Sequence, residues 1–242
     1  MKSFVKMFDA NLKEFLRDRS GLFWTFAFPI CFIFLFGLLF TGDGQGISFD
    51  YILPGILAMA LMQLGLFGAL QFLYLREKKI IRGLSVTPLS RSSLLSSEIL
   101  LRLLAGFVQT GIIIFLGVIV FDITLVGNII QILLMVLLGS LTFVSFGYML
   151  ICFVKSMEGG SGLAQIVQLP MMFLSGIFFP VEMMPGFMQP VVKLIPLTYL
   201  ADSLRNVMIG VPGNYSLKVN ILVLLLWLIF TFIITVKYWR WE

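Results

Sequence analysis

The sequence contains no histidine, only two cysteines and few charged residues. The missing histidine excludes His-dependent catalytic triads, H-E-x-x-H zinc sites and 2-His-1-carboxylate iron centres. No glycine directly precedes a lysine, so the sequence has no P-loop of its own for nucleotide phosphates. Cys31 and Cys152 both lie in apolar runs, where the sequence predicts buried small side chains rather than a disulfide.

The low charge accompanies a very high apolar content. Charged residues make up 12% and hydrophobic residues 60% of the chain, against about 25% and about 45–50% in soluble domains. A chain of 242 residues has too little interior to bury so much apolar surface, so the remainder must be solvated by a lipid bilayer. The composition therefore predicts an integral membrane protein.

Long uncharged runs divide the chain into candidate spans. Each run reaches or approaches the ~20 residues that a helix needs to cross a bilayer, and the alternating segments typical of membrane barrels are absent. We predict an all-α fold with six transmembrane helices in a single domain, residues 1–242. The predicted spans are residues 21–41, 51–75, 99–121, 128–153, 160–180 and 219–237.

The basic residues predict the orientation of these spans. Of the 17 Lys and Arg residues, only Lys193, Arg205 and Lys218 fall on the outer side of the six-span arrangement. The positive-inside rule then places both termini in the cytoplasm. The net charge of +5 follows from the same bias, so it gives no reason to expect a nucleic-acid partner. The predicted location is the cell membrane.

Residues 1–19 predict an amphipathic helix rather than a signal peptide. Phe8, Leu12 and Phe15 recur at helical spacing, while Arg17 and other basic residues occupy the rest of the helical wheel. Such a helix lies along the inner membrane surface in contact with lipid. The sequence leaves open whether it only anchors the first span or also forms a docking surface.

The largest inner connection, residues 76–95, begins with the sequence REKKIIRGLSVTPLSR. One interpretation is a retention signal whose positive charge contacts anionic lipid. The other is a short helix that binds a cytosolic partner and ends before the proline. The candidate docking residues are Arg76, Glu77, Lys78, Lys79, Arg82, Gly83, Leu84, Thr87 and Pro88.

The outer segment, residues 181–218, combines prolines with a high apolar content. Its prolines exclude one continuous helix, yet it is too apolar for an ordinary outer loop. We predict short re-entrant helices that dip into the outer leaflet and return before the last span. One of them has Asp202 and Arg205 opposite an apolar stripe. That stripe comprises Leu200, Leu204, Val207 and Met208.

Polar and sulfur-containing residues in the second and fifth spans are candidates for lining a passage. Polar groups in a span face protein or water rather than lipid. Hydrogen bonds between helices explain the glutamines without any substrate, and the methionines and Phe67 equally fit core or lipid-facing positions. The candidate pathway residues are Met62, Gln63, Phe67, Gln165, Gln168 and Met172.

The inner loop and the outer segment together resemble a known family. The pattern REKK-x-x-R-G-L-x-V-T-P-L-S-R and the pattern SGIFFP-V-E-x-x-P, followed by P-L-T-Y-x-x-D-x-L-R, are similar to the permease subunit of a type-two ATP-binding-cassette (ABC) exporter. The resemblance covers nearly the whole chain. It implies a connecting helix within residues 4–17 and a coupling helix within residues 77–89.

The resemblance also implies partners and a gate. A separate ABC ATPase subunit binds ATP and Mg, so this chain itself has no enzymatic site and binds no cofactor. Two permease subunits pair as a homodimer or a heterodimer, and the second and fifth spans line the central path. Ile177, Phe178 and Phe179 occupy the place of an outer gate. The apolar lining fits a hydrophobic or amphiphilic drug, antibiotic, lipid or lipopeptide, although the family also exports polysaccharides.

Two other classes of membrane protein compete with this interpretation. A secondary transporter or channel not driven by ATP is the alternative, but no carboxylate or lysine lies in the middle of a span to couple an ion. An intramembrane enzyme needs a nucleophile with its base or a pair of carboxylates. The acidic residues lie outside the spans, so the exporter interpretation is favoured.

Overall fold

The computed structural model describes residues 2–40, 49–80, 91–178 and 181–239. This part of the chain is 83% helical and contains no strand, which confirms the predicted all-α class. We number its helices in chain order: α1 Lys2–Arg17, α2 Arg19–Phe40, α3 Phe49–Glu77, α4 Arg91–Phe121, α5 Ile129–Ile151, α6 Met157–Leu174, α7 Gln189–Val192, α8 Pro196–Ile209 and α9 Leu217–Tyr238.

Within the described residues, five helices are long and apolar enough to cross a membrane: α2, α3, α4, α5 and α9. The predicted fifth span corresponds to α6, which has 18 residues and a length of about 27 Å. Glu158, Gln165 and Gln168 make α6 more polar than those five helices. The crossing of α6 therefore stays a prediction, as does the cytoplasmic position of the termini.

α3 is the central helix of the bundle. In its most apolar stretch 83% of residues are buried, against 17% in α2 and α9, which lie at the periphery. α3 crosses α5 in close backbone contact, because Gly65 leaves no side chain between the helices. A Cβ atom at Gly65 would lie 2.5 Å from the carbonyl carbon of Phe143. This contact fixes the two helices around one point near their middles.

α1 is an amphipathic helix, as the sequence predicts, and its apolar face packs against the N-terminal part of α4. Phe8, Leu12 and Phe15 are half-buried in this contact. The Asn11 amide nitrogen donates a hydrogen bond to the Ser97 hydroxyl at 3.0 Å. α1 is thus tied directly to a transmembrane helix, and its predicted contact with lipid stays a prediction.

α2 contains one π-helical turn, Phe23–Ala27. Pro29 gives the physical reason, since it has no N–H to donate to the carbonyl of Thr25 four residues earlier. The N–H of Phe28 donates to the Phe23 carbonyl, five residues back, instead of four. Backbone carbonyls in this turn are consequently open to donors from other helices.

The outer segment begins earlier than the sequence predicts. α6 ends at Leu174, not at residue 180, because Ser175 and Gly176 form a turn in which Gly176 has a φ of +74°. A 3-10 turn, Val181–Met183, and the short α7 follow. The re-entrant path of this segment through the outer leaflet stays a prediction.

α8 is the most deeply buried part of the outer segment, and it packs against α3, α5 and α9. The predicted apolar stripe is buried, and Gly210 ends the helix in the left-handed conformation with a φ of +67°. Asp202 and Arg205, predicted to lie opposite this stripe, are also buried and are each only 5% exposed. Helices enclose α8 on several sides, so these charged side chains find partners inside the protein.

Candidate functional site

The first two predicted docking residues bind within the protein at the inner end of α3. The Arg76 guanidinium donates hydrogen bonds to the carbonyls of Ile151, at 3.1 Å, and of Val154. The Glu77 carboxylate accepts a hydrogen bond from the Met157 backbone N–H at 2.6 Å. We call Arg76 and Glu77 the inner clamp, because they hold the connection between α5 and α6 against the end of α3.

Glu77 serves α6 as a negative charge at its N-terminus. The first amide groups of a helix lack partners within the helix and carry a partial positive charge, so a carboxylate there is stabilising. Ser156 completes the cap by accepting a hydrogen bond from the Gly159 N–H at 3.2 Å. The inner clamp therefore couples the position of α3 to the start of α6.

The remaining docking residues divide between exposed and undescribed positions. Lys78 and Lys79 are exposed at the end of α3, where Lys79 has a φ of +55° and turns the chain away from the helix axis. Arg82, Gly83, Leu84, Thr87 and Pro88 lie outside the described residues. The coupling helix stays a prediction. The described residues that lead into it, Lys78 and Lys79, carry two exposed ammonium groups beside the inner clamp.

The connecting helix α1 meets a buried ion pair that the sequence analysis missed. In α4, the Arg102 guanidinium and the Glu98 carboxylate are 2.5 Å apart and largely buried. Arg102 also lies over the Phe15 ring of α1, 5.4 Å from its centroid, while Arg17 is exposed. The i, i+4 spacing of Glu98 and Arg102 at the start of an apolar run was the available signal.

The two cysteines differ from their predicted burial. Cys31 is exposed on α2 and Cys152 is half-buried beyond the end of α5, and both are free thiols. Among the described residues, no group of histidine, cysteine and acidic side chains is arranged to hold a metal ion.

The candidate pathway residues differ in their access to the protein surface. Three are buried, with Met62 completely enclosed in the core, and three are half-buried or exposed. The buried set is Met62, Gln168 and Met172, and the more accessible set is Gln63, Phe67 and Gln165. Only the second set is accessible at the surface of this subunit, and a role of either set in a pathway stays a prediction.

Gln63 and Gln109 make contacts that the sequence analysis left unassigned. The Gln109 side-chain amide of α4 donates to the carbonyl of Thr25 at 2.5 Å, and that of Gln63 in α3 donates to the carbonyl of Trp24 at 3.4 Å. Both acceptors lie in the π-helical turn of α2. Pro29 within the first span was the signal that this turn needs donors from neighbouring helices.

The predicted gate residues lie in the turn after α6. Ile177 is completely buried against Gly55 of α3. The Phe178 ring is 6% exposed and stacks on Phe36 of α2, with centroids 4.7 Å apart and an interplanar angle of 18°. Phe179 lies outside the described residues. A gate between two subunits stays a prediction that requires Ile177 and Phe178 to leave these contacts.

Arg205 of α8 joins the outer ends of two other helices. Its guanidinium donates to the carbonyls of Gly176 and Ile177 after α6, at 2.7 and 3.1 Å, and to the carbonyl of Tyr51 in α3 at 3.0 Å. It also lies over the Tyr51 ring, 3.8 Å from the centroid. One buried side chain thereby connects α3, α6 and α8.

Asp202, one turn away, connects α8 to the start of α9. Its carboxylate accepts hydrogen bonds from the backbone N–H groups of Asn214 and Tyr215, at 2.8 and 3.2 Å. The buried Asn220 amide donates to it at 2.8 Å. We call Asp202 and Arg205 the outer brace.

Comparison with known proteins places this architecture in a family. The family model described as ABC-2 type transporter matches residues 2–209, which include α1 to α8. The chain belongs to the ABC-2 type transporter family. It is a multi-pass permease of an ABC transporter, with its helices in a cell membrane, and the resemblance carried by its sequence motifs is confirmed. The family works with an ABC ATPase partner.

Curated relatives of this ABC-2 permease include three informative proteins. It is 25% identical over 197 residues to the daunorubicin resistance ABC transporter permease protein DrrB1 of Streptomyces coeruleorubidus, across 78% of this chain and 68% of that protein. YvfS of Bacillus subtilis (strain 168), named as a transport permease, is 23% identical over 239 residues, across 96% and 94% of the two chains. Nodulation protein J of Rhizobium meliloti (strain 1021) is 36% identical over 75 residues, across 31% and 29%.

Proposed function

We propose that this ABC-2 permease forms the membrane path of an ATP-driven exporter for hydrophobic or amphiphilic molecules. A separate ATPase subunit binds ATP and Mg, and this chain binds no cofactor. Two permease subunits, identical or related, surround the path, and lipid surrounds both. The name of DrrB1 refers to daunorubicin resistance, which supports a drug as one member of this class.

The exposed face of α6 carries the proposal. Gln165 is exposed there beside Ile166 and Leu169, which are 71% and 52% exposed, and Phe173, which is 59% exposed. A polar amide at membrane depth faces protein or water rather than lipid. A surface that combines one amide with large apolar side chains is suited to a molecule with both polar and apolar parts.

The inner face supplies a place for the ATPase partner. The exposed Lys78 and Lys79 lie at the end of α3, next to the clamp on α6, and α1 packs on α4 close by. An ATPase bound to the coupling loop and to α1 therefore acts on α3, α4 and α6 together. In this arrangement both termini are cytoplasmic and the outer segment re-enters the outer leaflet.

The test is reconstitution in liposomes with and without the ABC ATPase that co-purifies with the permease. We expect ATP-dependent transport of rhodamine 6G or a short-chain fluorescent phospholipid by the complex. The permease alone should hydrolyse no ATP, because it has no P-loop. Hydrolysis by the isolated chain, or transport that is independent of ATP, would overturn the proposal.

Gln165→Leu tests the proposed surface within that experiment. We expect it to change the choice between the two fluorescent substrates, because it removes the one amide on the exposed face. Gln131→Leu is the matched control, since Gln131 is also exposed but lies on α5. Equal effects of the two substitutions would exclude α6 as the substrate surface.

A further inference from the structure

We propose that Arg205 is a latch that holds the outer ends of α3 and α6 together, and that its release opens this permease to the outside. The inference rests on the proposed export function. In this proposal, the buried Arg205 side chain keeps the outer side closed until the ATPase partner acts.

The contacts of Arg205 connect the two helices directly. Its guanidinium binds the carbonyls of Gly176 and Ile177 on one side and the carbonyl of Tyr51 on the other. The outer ends of α3 and α6 also touch at Gly55, where a Cβ atom would lie 2.8 Å from Cγ2 of Ile177. Separation of the two ends therefore requires the bonds of Arg205 to break.

An arginine is well suited to this position. Its planar guanidinium has five N–H groups in a fixed fork, so it serves carbonyls from two segments at once. A buried charge is costly unless it is well bonded, and the 3.8 Å contact with the Tyr51 ring adds a favourable interaction. Because a buried guanidinium without its bonds is costly, the closed state is well defined.

The surroundings of Asp202 and Arg205 indicate which hydrogen bonds break on opening and which remain. Asp202 ties α8 to the start of α9 through the N–H groups of Asn214 and Tyr215. The chain on the α6 side is instead a turn at Gly176, with a φ of +74° and no helical hydrogen-bond ladder to maintain. α8 and α9 consequently form the fixed side of the latch, and the end of α6 is the part that can move.

Cysteine accessibility provides the first test. The chain has only two cysteines, so a variant with Cys31→Ala, Cys152→Ala and Ile177→Cys reports on a single buried site. We expect Arg205→Lys to raise the labelling rate by a membrane-impermeant maleimide about tenfold without ATP, because a lysine cannot serve both segments. Tyr51→Leu should act in the same direction, since it removes the ring beneath the guanidinium.

Asp202→Asn is the matched control for this test. Asp202 lies on the same helix and is as buried as Arg205, but its partners are on the α9 side. It should leave the labelling of the introduced cysteine unchanged. If Arg205→Lys and Tyr51→Leu proteins that elute normally on gel filtration label no faster than the parent, the latch is excluded.

A reversible cross-link tests the same step with Arg205 in place. The geometry at Gly55 brings Gly55→Cys and Ile177→Cys within reach of a disulfide. Oxidation should stop transport of rhodamine 6G and reduction should restore it. Transport by the oxidised protein would overturn the latch, whereas failure of the reduced parent to transport with ATP would overturn only the proposed exporter, since the maleimide test needs no substrate.

Discussion

The outer brace and the inner clamp use the same chemistry in different surroundings. In both, a charged side chain binds backbone groups near the end of a helix. Asp202 and Arg205 are enclosed by protein, whereas Arg76 is half-buried and Glu77 is exposed. A bond made in a buried site is expensive to break, because both partners lose water as an alternative. The same bond at an exposed site exchanges readily with solvent.

This difference bears on the proposed transport cycle. The contacts at the outer end are buried charges and an aromatic stack, so they are costly to break. The contacts at the inner end are more exposed and lie next to Lys78 and Lys79 at the surface. If the ATPase partner binds there as proposed, we expect it to rearrange the inner contacts at little cost.

The largest expected effect is at the outer aromatic stack. Phe178→Ala should lower the free energy of unfolding by about 3 kcal/mol, because it leaves a cavity where the ring stacks on Phe36. Denaturant unfolding in detergent micelles measures this. The control is Phe173→Ala, which should cost little because Phe173 lies in the same region but is 59% exposed. Similar losses for both would show that the outer end is not tightly packed.

Asp202→Ala should be nearly as damaging. It removes the charged acceptor from two backbone N–H groups and Asn220, for which we expect a loss of about 2–3 kcal/mol in unfolding free energy. Asp9→Ala removes an exposed carboxylate paired with Lys13 and should cost about 0.5 kcal/mol or less. A comparable loss in the two variants would contradict the distinction between buried and exposed charges.

At the inner clamp, Glu77→Lys should cost about 1 kcal/mol, because a cation replaces the carboxylate at the N-terminus of α6. The larger effect should be on transport per ATP hydrolysed, with normal insertion. Lys218→Glu reverses an exposed charge at the start of α9, away from the cap and from the proposed docking surface, and is the control. If Glu77→Lys leaves the coupling as normal as Lys218→Glu does, the clamp has no part in it.

The smallest expected effect concerns the π-helical turn of α2. Gln109→Leu should cost about 0.6 kcal/mol, a typical value for a hydrogen bond between membrane helices. With Pro29→Ala already present, the loss should shrink, because the new N–H can donate to the Thr25 carbonyl itself. A double-mutant cycle measures this coupling. Additive losses would show that Pro29 is not the reason for the contact.

The sequence was sufficient for features that depend on local pattern. Runs of about 20 apolar residues predicted five helices. Four of them have ends close to those observed, whereas α4 begins at Arg91, well before the predicted start at residue 99. The spacing of Phe8, Leu12 and Phe15 predicted α1. Burial of Asp202 and Arg205 was not predictable in this way. Their i, i+3 spacing is typical of an exposed polar helix face. They are buried only because helices distant in sequence enclose α8.

The candidate site shows the same limit. Arg76 and Glu77 were predicted as surface docking residues because they begin a charged loop. Their partners belong to the connection between α5 and α6, about 80 residues further along the chain and invisible to a local pattern. Pro29 predicted a carbonyl without its helical partner, because a proline inside a helix has no N–H to donate. The donor to that carbonyl, Gln109, belongs to another helix and was not predictable from the local sequence.

The polarity of α6 has a consequence for the biogenesis of the permease. The translocon releases a segment into lipid according to its hydrophobicity. Because α6 contains Glu158 and two glutamines, it is poorly suited to enter the lipid by itself. Its start fits closely on α3, because a Cβ at Gly160 would lie 2.5 Å from Cδ2 of Leu73. We therefore expect α6 to enter the bilayer together with α3, and a bulky residue at position 160 to lower the amount of correctly inserted protein.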